Sequence, residues 1–331
     1  MTLKIIIVFL FCFFVALVLS PLIIKLTKKL KFGQTILHYV DFHNSKQGTP
    51  TMGGLIFVFA AAVSLIFANE RFYSLAIISI LTMLGFCIIG FLDDFIKIKY
   101  KQNLGLKPYQ KIIGQLGVAI SVALFVYFSQ AISTSVIIPF SNIKVDLGWG
   151  IIPFVVVIFL AITNSVNLTD GLDGLAGGVG LAYLLPLGVL MMLYMPESGS
   201  AAFYEHQNLI VVCFGLAGSL LAYLCFNCYP AKIFMGDTGS LALGGIIGAL
   251  TILSGLELYM PILGVMFVAS AISVIVQVLH FKRTKKRVFL MAPLHHHYEK
   301  KGVHENRISL IYIVITLVVG LVTVGVKLYV G

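Results

Sequence analysis

A chain of 331 residues that is 59% apolar, only 11% charged and has a mean hydropathy of +1.02 is excluded from the ordinary soluble classes, in which charged side chains make up about 25%. Its net charge of +10 is expected to mark one membrane face and the anionic groups found there, not a nucleic-acid partner. The composition predicts an all-α integral membrane protein built as a single polytopic domain over residues 1–331.

Runs long and apolar enough to span a bilayer can be followed from end to end. Ten are found, over roughly 4–24, 52–69, 73–92, 112–130, 151–167, 175–195, 208–226, 239–254, 260–281 and 309–329. The first has no small-residue cleavage site and is closed by the basic stretch Lys25 to Lys31, so it reads as a retained span and not as a signal peptide. The eighth is short enough to be tilted or partly re-entrant. Between the fourth and fifth, Val136, Ile138, Ile143, Val145 and Leu147 alternate around residues 139–142, the pattern of a short hairpin lying on the membrane. Residues 196–207 read as linker. No internal repeat is found, which weakens a transporter built from duplicated halves. Cys225 and Cys228 form a C-x-x-C with no second pair to complete a zinc site, so the five cysteines read as structural thiols.

Nineteen of the 23 Lys and Arg fall in the loops 25–51, 93–111, 164–174, 227–238 and 282–308. The positive-inside rule makes that face cytoplasmic and puts both termini outside. A wrong number of spans would have mixed the basic loops between the two faces.

The unusual acids sit at ends of spans on that same face. Asp93 and Asp94 close the third span in GFLDDFIKI, at the negative end of a helix dipole where adjacent carboxylates are disfavoured. Capping does not explain them. Continuation of the helix would, because Lys97 then lies four residues from Asp93 and three from Asp94. Asp170 and Asp173, in NSVNLTDGLDGLAGG, are three apart and open the sixth span. They are expected on its first turn, with Asn164 and Asn167 ending the helix before. Asp237, in FMGDTGS, precedes the eighth, where Asp237 or Thr238 suits an N-cap and the same backbone suits a phosphate or its metal. Carboxylates gathered beside basic loops at a membrane surface fit hard-cation chemistry, with Mg²⁺ shared between one or two carboxylates and substrate phosphates.

The positive partners are Lys46, Lys97, Lys99, Lys101, Lys107 and Lys111, with the basic loop 282–308; part of this charge serves topology and anionic lipid. His295, His296 and His297 are consecutive, which does not suit one metal. They read as donors to phosphate or sugar oxygens.

The segments HNSKQGTPTMGG, GFLDDFIKI, NSVNLTDGLDGLAGG, FMGDTGS and MAPLHHHYEKKG resemble the phospho-N-acetylmuramoyl-pentapeptide-transferase family over nearly the whole chain. The aspartate motifs alone indicate only the wider group of polyprenyl-phosphate N-acetylhexosamine-1-phosphate transferases, and the P-L-H-H-H-Y-E element singles out the family. The resemblance implies Mg²⁺-dependent transfer of phospho-MurNAc-pentapeptide from UDP-MurNAc-pentapeptide to undecaprenyl phosphate, giving lipid I and UMP. It implies a multi-pass protein of the bacterial cytoplasmic (inner) membrane, in contact with lipid and paired as a homodimer through apolar helices. By motif position, Asp237 would be the metal ligand, and Asp93 the base or acceptor-positioning group with Asp94 beside it. Lys46, Asn167, Asp170, Asp173, Phe234, Gly236, Gln277, His296 and His297, with His295 beside them, would line the nucleotide-sugar site. Phe234 would stack on uracil, and Lys97 would help hold the phosphates. Two other classes share features of this chain. A sister enzyme moving GlcNAc-1-phosphate would have every aspartate. A transporter would place its acids near the midplane on broken helices, whereas these five lie at span ends on one face.

Overall fold

The computed structural model describes residues 1–30, 48–68, 74–100, 104–129, 132–141 and 143–330. Lys46 lies outside these residues. The chain is almost wholly helical, as expected where lipid offers the backbone no hydrogen-bond partner of its own. Among the described residues nine helices are long and apolar enough to cross a membrane. They are α1 (Thr2–Lys29), α3 (Ser74–Lys99), α4 (Pro108–Phe128), α5 (Ile151–Thr169), α6 (Leu175–Leu193), α7 (Ala201–Asn227), α8 (Gly236–Leu253), α10 (Val265–Thr284) and α12 (Glu305–Val330). The run expected over 52–69 forms a shorter apolar helix, α2 (Gly54–Ala62), which tightens into a 3₁₀ turn over Val63–Phe67. The run expected over 260–281 breaks at Gly264 into α9 (Met260–Leu263) and α10. A seven-residue helix, α11 (Leu294–Lys300), carries the histidines, and a two-stranded antiparallel hairpin, β1 (Ser135–Ile137) with β2 (Lys144–Asp146), links α4 to α5.

The bundle is organised around α8. Every residue from Thr238 to Leu253 is buried, and α3, α5 and α2 pack on it, α3 most extensively. Small residues make this approach possible, since lipid supplies no hydrophobic drive and close van der Waals contact has to supply the association. A Cβ on Gly90 of α3 would stand 2.0 Å from the Asp237 carbonyl oxygen, and one on Gly54 of α2 would stand 2.0 Å from Gly239 Cα. Farther along, Phe86 of α3 stacks on Phe159 of α5 at 5.7 Å and fills the space left by Gly245. Glycines on both sides of these contacts, Gly54 and Gly90 as well as Gly239 and Gly245 of α8, thus bring the helices close enough for their ends to share one site.

Candidate active site

The helices alternate in direction, so the C-terminal ends of α3 and α5 and the N-terminal ends of α4 and α8 meet on one face. Helix dipoles of both senses meet there, and side chains of both charges gather. α3 runs on to Lys99, past its two acids, and so places Lys97 back over them. Lys97 Nζ lies 2.5 Å from Asp93 Oδ2, 3.8 Å from Asp94 Oδ1 and 2.8 Å from Asp237 Oδ2. Lys111, on the first turn of α4, lies 2.8 Å from Asp237 Oδ2 and 3.3 Å from Asp93 Oδ1. Asn167 of α5 donates from Nδ2 to Asp237 Oδ1 at 2.7 Å and to Ser240 Oγ at 2.8 Å. Asp93 also accepts from the Leu106 backbone N–H at 2.9 Å.

Asp94 is used differently. Its carboxylate accepts from the backbone N–H groups of Asp237 and Thr238, at 3.2 and 2.9 Å, and from the Thr238 hydroxyl at 2.7 Å. It caps α8 from a neighbouring helix, supplying the acceptor that an N-terminus requires. Asp237 is therefore not the N-cap of α8 but lies within its first turn, with its carboxylate free to face Lys97, Lys111 and Asn167. Gly236, at φ +73°, is required where it stands: a Cβ there would meet Asp94 Oδ2 at 2.5 Å and Thr51 Oγ1 at 2.7 Å.

The loop between α5 and α6 departs from the sequence expectation. Asn164 and Asn167 do not end α5, which continues to Thr169. Asn164 is held inside the helix because its Nδ2 donates to Leu160 O and to Gln115 Oε1 of α4. Asp170 follows as the C-cap of α5, and Asp173 precedes Gly174, whose φ of +71° starts α6. Neither acid lies on the first turn of α6. Burial, then the charges of Asp237, Asp94 and Asp173, push the Asp170 carboxyl well above the ordinary carboxylate range. Asp173 is buried and pinned, its Oδ2 accepting from Ala231 N at 2.9 Å.

The remaining expected residues divide between support and surface. Phe234 is half-buried, and its backbone pairs with residues 50–53: Phe234 N donates to Pro50 O and Gly53 N to Phe234 O, each at 2.8 Å. Gln277 spends its amide on the loop after α10, accepting from Val288 N and Phe289 N and donating to Phe289 O. His297 Nδ1 accepts from Leu290 N at 3.1 Å, and His296 Nδ1 lies 2.8 Å from Glu299 Oε2. His295 is fully buried against Gly171, and neither ring nitrogen has a hydrogen-bond partner among the described residues. Burial, with the adjacent His296, pushes it down to about 3, so the imidazole is neutral at physiological pH. The structure thus brings Asp93, Asp94, Lys97, Asn167 and Asp237 together and sets Asp170 beside them. It places His295 and His297 on α11, Gln277 on α10 and Asp173 in the loop between α5 and α6.

The donor set fits a hard divalent cation. One carboxylate oxygen from each of Asp93, Asp94 and Asp237 lies within 4.8 Å of the others, all donors are oxygens, and two lysine ammoniums leave three carboxylates incompletely neutralised. Because Asp94 is committed to the α8 backbone, Asp237 and Asp93 are the groups with capacity for such an ion.

Ser240 was not singled out from the sequence, and Lys111 and Thr238 entered it only as one of several basic partners and as a possible N-cap, although each makes a defining contact. For Lys111 there was a signal. A cation on the first turn of α4 opposes the dipole, the counterpart of the anomaly that marked Asp93 and Asp94 toward the C-terminal end of α3.

Comparison with known proteins bears on this arrangement. Residues 75–255 match the model described as glycosyl transferase family 4, and residues 46–58 match phospho-N-acetylmuramoyl-pentapeptide-transferase signature 1. The chain is 46% identical over 317 residues to the phospho-N-acetylmuramoyl-pentapeptide-transferase of Clostridium kluyveri, covering 95% of this chain and 96% of that one. It is 41% identical over 316 residues to the protein of that name from Clostridioides difficile, covering 95% of each, and 45% identical over 311 residues to that of Clostridium beijerinckii, covering 92% of this chain and 91% of the relative.

Proposed function

Since the chain belongs to the phospho-N-acetylmuramoyl-pentapeptide-transferase family and is a multi-pass membrane transferase of peptidoglycan synthesis, we propose that it moves phospho-MurNAc-pentapeptide from UDP-MurNAc-pentapeptide to undecaprenyl phosphate, yielding lipid I and UMP. The observation that carries this reading is the convergence of three carboxylates and two lysines from three helix ends at one membrane face. Mg²⁺ held by Asp237, with Asp93 adjacent, would neutralise charge on the donor diphosphate. Lys97 and Lys111, already shared between carboxylates, offer their charge to phosphate oxygens. Asn167 fixes one oxygen of Asp237, and Asp94 fixes the backbone on which Asp237 stands. Asp93, on a different helix from Asp237, takes the proton of the acceptor phosphate or orients it for in-line attack on the sugar-bearing phosphorus. Lys46, Asp170, Phe234, His296 and the framing residues Asp173, Gln277, His295 and His297 complete the nucleotide-sugar side, Phe234 by stacking on uracil.

Purified protein given Mg²⁺, undecaprenyl phosphate and UDP-MurNAc-pentapeptide is expected to form a lipid-linked product and UMP, and to leave UDP-GlcNAc unused. Use of UDP-GlcNAc instead would assign the sister activity. Without acceptor, labelled UMP should not exchange into the donor. Robust acceptor-independent exchange would replace direct attack by a phosphoryl-aspartate route.

We place the site on the cytoplasmic face of the bacterial inner membrane, with both termini outside and a second copy joined through exposed apolar helices. The support is the charge segregation between loops. Cys225 and Cys228, at the site end of α7, are exposed, whereas Cys12, Cys87 and Cys213 are buried. An impermeant maleimide should therefore label inverted membrane vesicles and leave intact spheroplasts unlabelled; labelling of intact spheroplasts would reverse the topology.

A further inference from the structure

The hairpin between α4 and α5 lies at the end of the bundle opposite the acidic cluster, since Lys111 is at the start of α4 and Asn167 near the end of α5. Ser135 pairs with Asp146, Val136 with Val145 and Ile137 with Lys144, and Ile138 N donates to Ile143 O at 3.0 Å. Opposite residues share a face of a ladder and successive residues alternate. Val136, Ile138, Ile143 and Val145 therefore form one apolar face, and Ser135, Lys144 and Asp146, with Ile137, form the other.

The apolar face is turned toward the bundle. Val136 is 4% exposed. At the turn, Phe140 meets Tyr259 edge-on at 5.8 Å, and its N–H donates to Tyr259 Oη at 3.0 Å. Tyr259 belongs to the 3₁₀ turn Glu257–Tyr259 between α8 and α9, so β1 rests on helix ends. β2 lies one strand farther out, and its share of the same face is bare: Ile143 is 59% exposed and Val145 41%. The face is covered at Val136, where helix ends lie beneath it, and exposed from Ile138 (36%) outward to Val145 and Ile143, so it overhangs the rim of the bundle. Beside the overhang stands Trp149, the only tryptophan of the chain and 75% exposed. Phe128 and Tyr127, exposed at the end of α4, continue into the exposed Leu124 and Ile120 on the flank of that spanning helix.

We propose that the hairpin is an interfacial anchor, with Ile143, Val145 and Trp149 seated in the headgroup region of the leaflet opposite the active site and Lys144 and Asp146 in water. Lipid is the occupant, and not a second copy or another protein, because the bare face continues into the lipid-facing flank of α4 and the charges lie on the reverse face. Aromatic residues concentrate at that depth, and an apolar face under a charged one is the pattern of an element lying in the interface plane. Through Phe140 and Tyr259 the anchor ties the α8–α9 connection to the leaflet.

The single tryptophan makes this measurable in the full chain. In phosphatidylcholine–phosphatidylglycerol nanodiscs, Trp149 emission should be blue-shifted from free tryptophan and quenched more by lipid spin-labelled near the headgroup than by lipid labelled near the chain end or by iodide. In an active Trp149→Phe background, Val145→Trp should be quenched by the shallow lipid label, and Lys144→Trp, on the opposite face, by iodide. Iodide quenching of the 145 probe equal to that of the 144 probe would overturn the anchor. So would shielding of the 145 probe from both quenchers, which would mean that protein covers the face. Should neither variant retain activity, strong iodide quenching of native Trp149 without lipid quenching would overturn it alone.

Discussion

Asp237→Asn and Asp93→Asn are each expected to lower lipid I formation by about a thousandfold or more, the scale of losing a preorganised electrostatic group that acts on developing charge. They should differ in their response to metal. Asp237 Oδ2 faces both lysines while Oδ1 is held by Asn167. An Asn there keeps the acceptor for Asn167 and loses the charge, so ion affinity falls and raised Mg²⁺ should restore part of the rate. Asp93 is fixed by Lys97, Lys111 and the Leu106 N–H, and its proposed role is toward the acceptor phosphate. Its loss removes a group that more Mg²⁺ does not replace. An Mg²⁺ titration of initial rates separates the two. Recovery of Asp93→Asn at high Mg²⁺, or near wild-type turnover in either variant, would sink the assignment of roles.

Gly90→Ala should also be damaging, although less so than the aspartate variants and although Gly90 bears no functional group. A Cβ at this position stands 2.0 Å from Asp237 O, 2.4 Å from Asp237 C and 2.6 Å from Thr238 N, all of them backbone atoms, so no rotamer change relieves the clash. α3 has to withdraw from α8. Asp94 sits one turn beyond Gly90 on α3, and its hydrogen bonds to Asp237 N and Thr238 N cross the same interface. The separation therefore acts directly on the placement of Asp237 relative to Asp93. A displacement of about 1 Å at a reacting centre is worth roughly a hundredfold in rate, and overpacking a tight contact costs about 1–3 kcal/mol. Gly90→Ala should thus lose about a hundredfold in activity and melt at lower temperature. Gly117→Ala is the matched control, since a Cβ on that α4 glycine meets nothing within 4 Å. Equal activity of the two variants would show that the α3–α8 approach does not set the site.

The hydrophobic lengths of the runs decided the fold class without help from tertiary structure, because a lipid-embedded backbone has few options and about 20 apolar residues can do little else. The same holds for the family resemblance and for the suspicion attached to Asp93, Asp94 and Asp237, which arises from local chemistry: paired carboxylates at the wrong end of a helix dipole, and an acid in a glycine-flanked helix start. Whether the run 52–69 would be a full span was not decided locally. It became the short α2 and its 3₁₀ turn, with Gly54 of α2 against Gly239 of α8. Nor could local patterns settle which acid does what. Read alone, Asp237 caps its own helix; in the fold, Asp94 takes over that duty from 143 residues away in sequence, and only then is the Asp237 carboxylate released to face Lys97 and Lys111. Asp170 and Asp173 were misplaced because α5 runs on to Thr169 and α6 starts only after Gly174, at φ +71°, so both acids fall in the loop between the two helices. Gln277 and His297 likewise show their backbone-holding contacts only once the loop after α10 has folded back. Residue type and spacing determine which groups are chemically suited to phosphoryl transfer. Which of them are left free to perform it depends on which hydrogen bonds the packed helices have already claimed, and that is settled by tertiary structure.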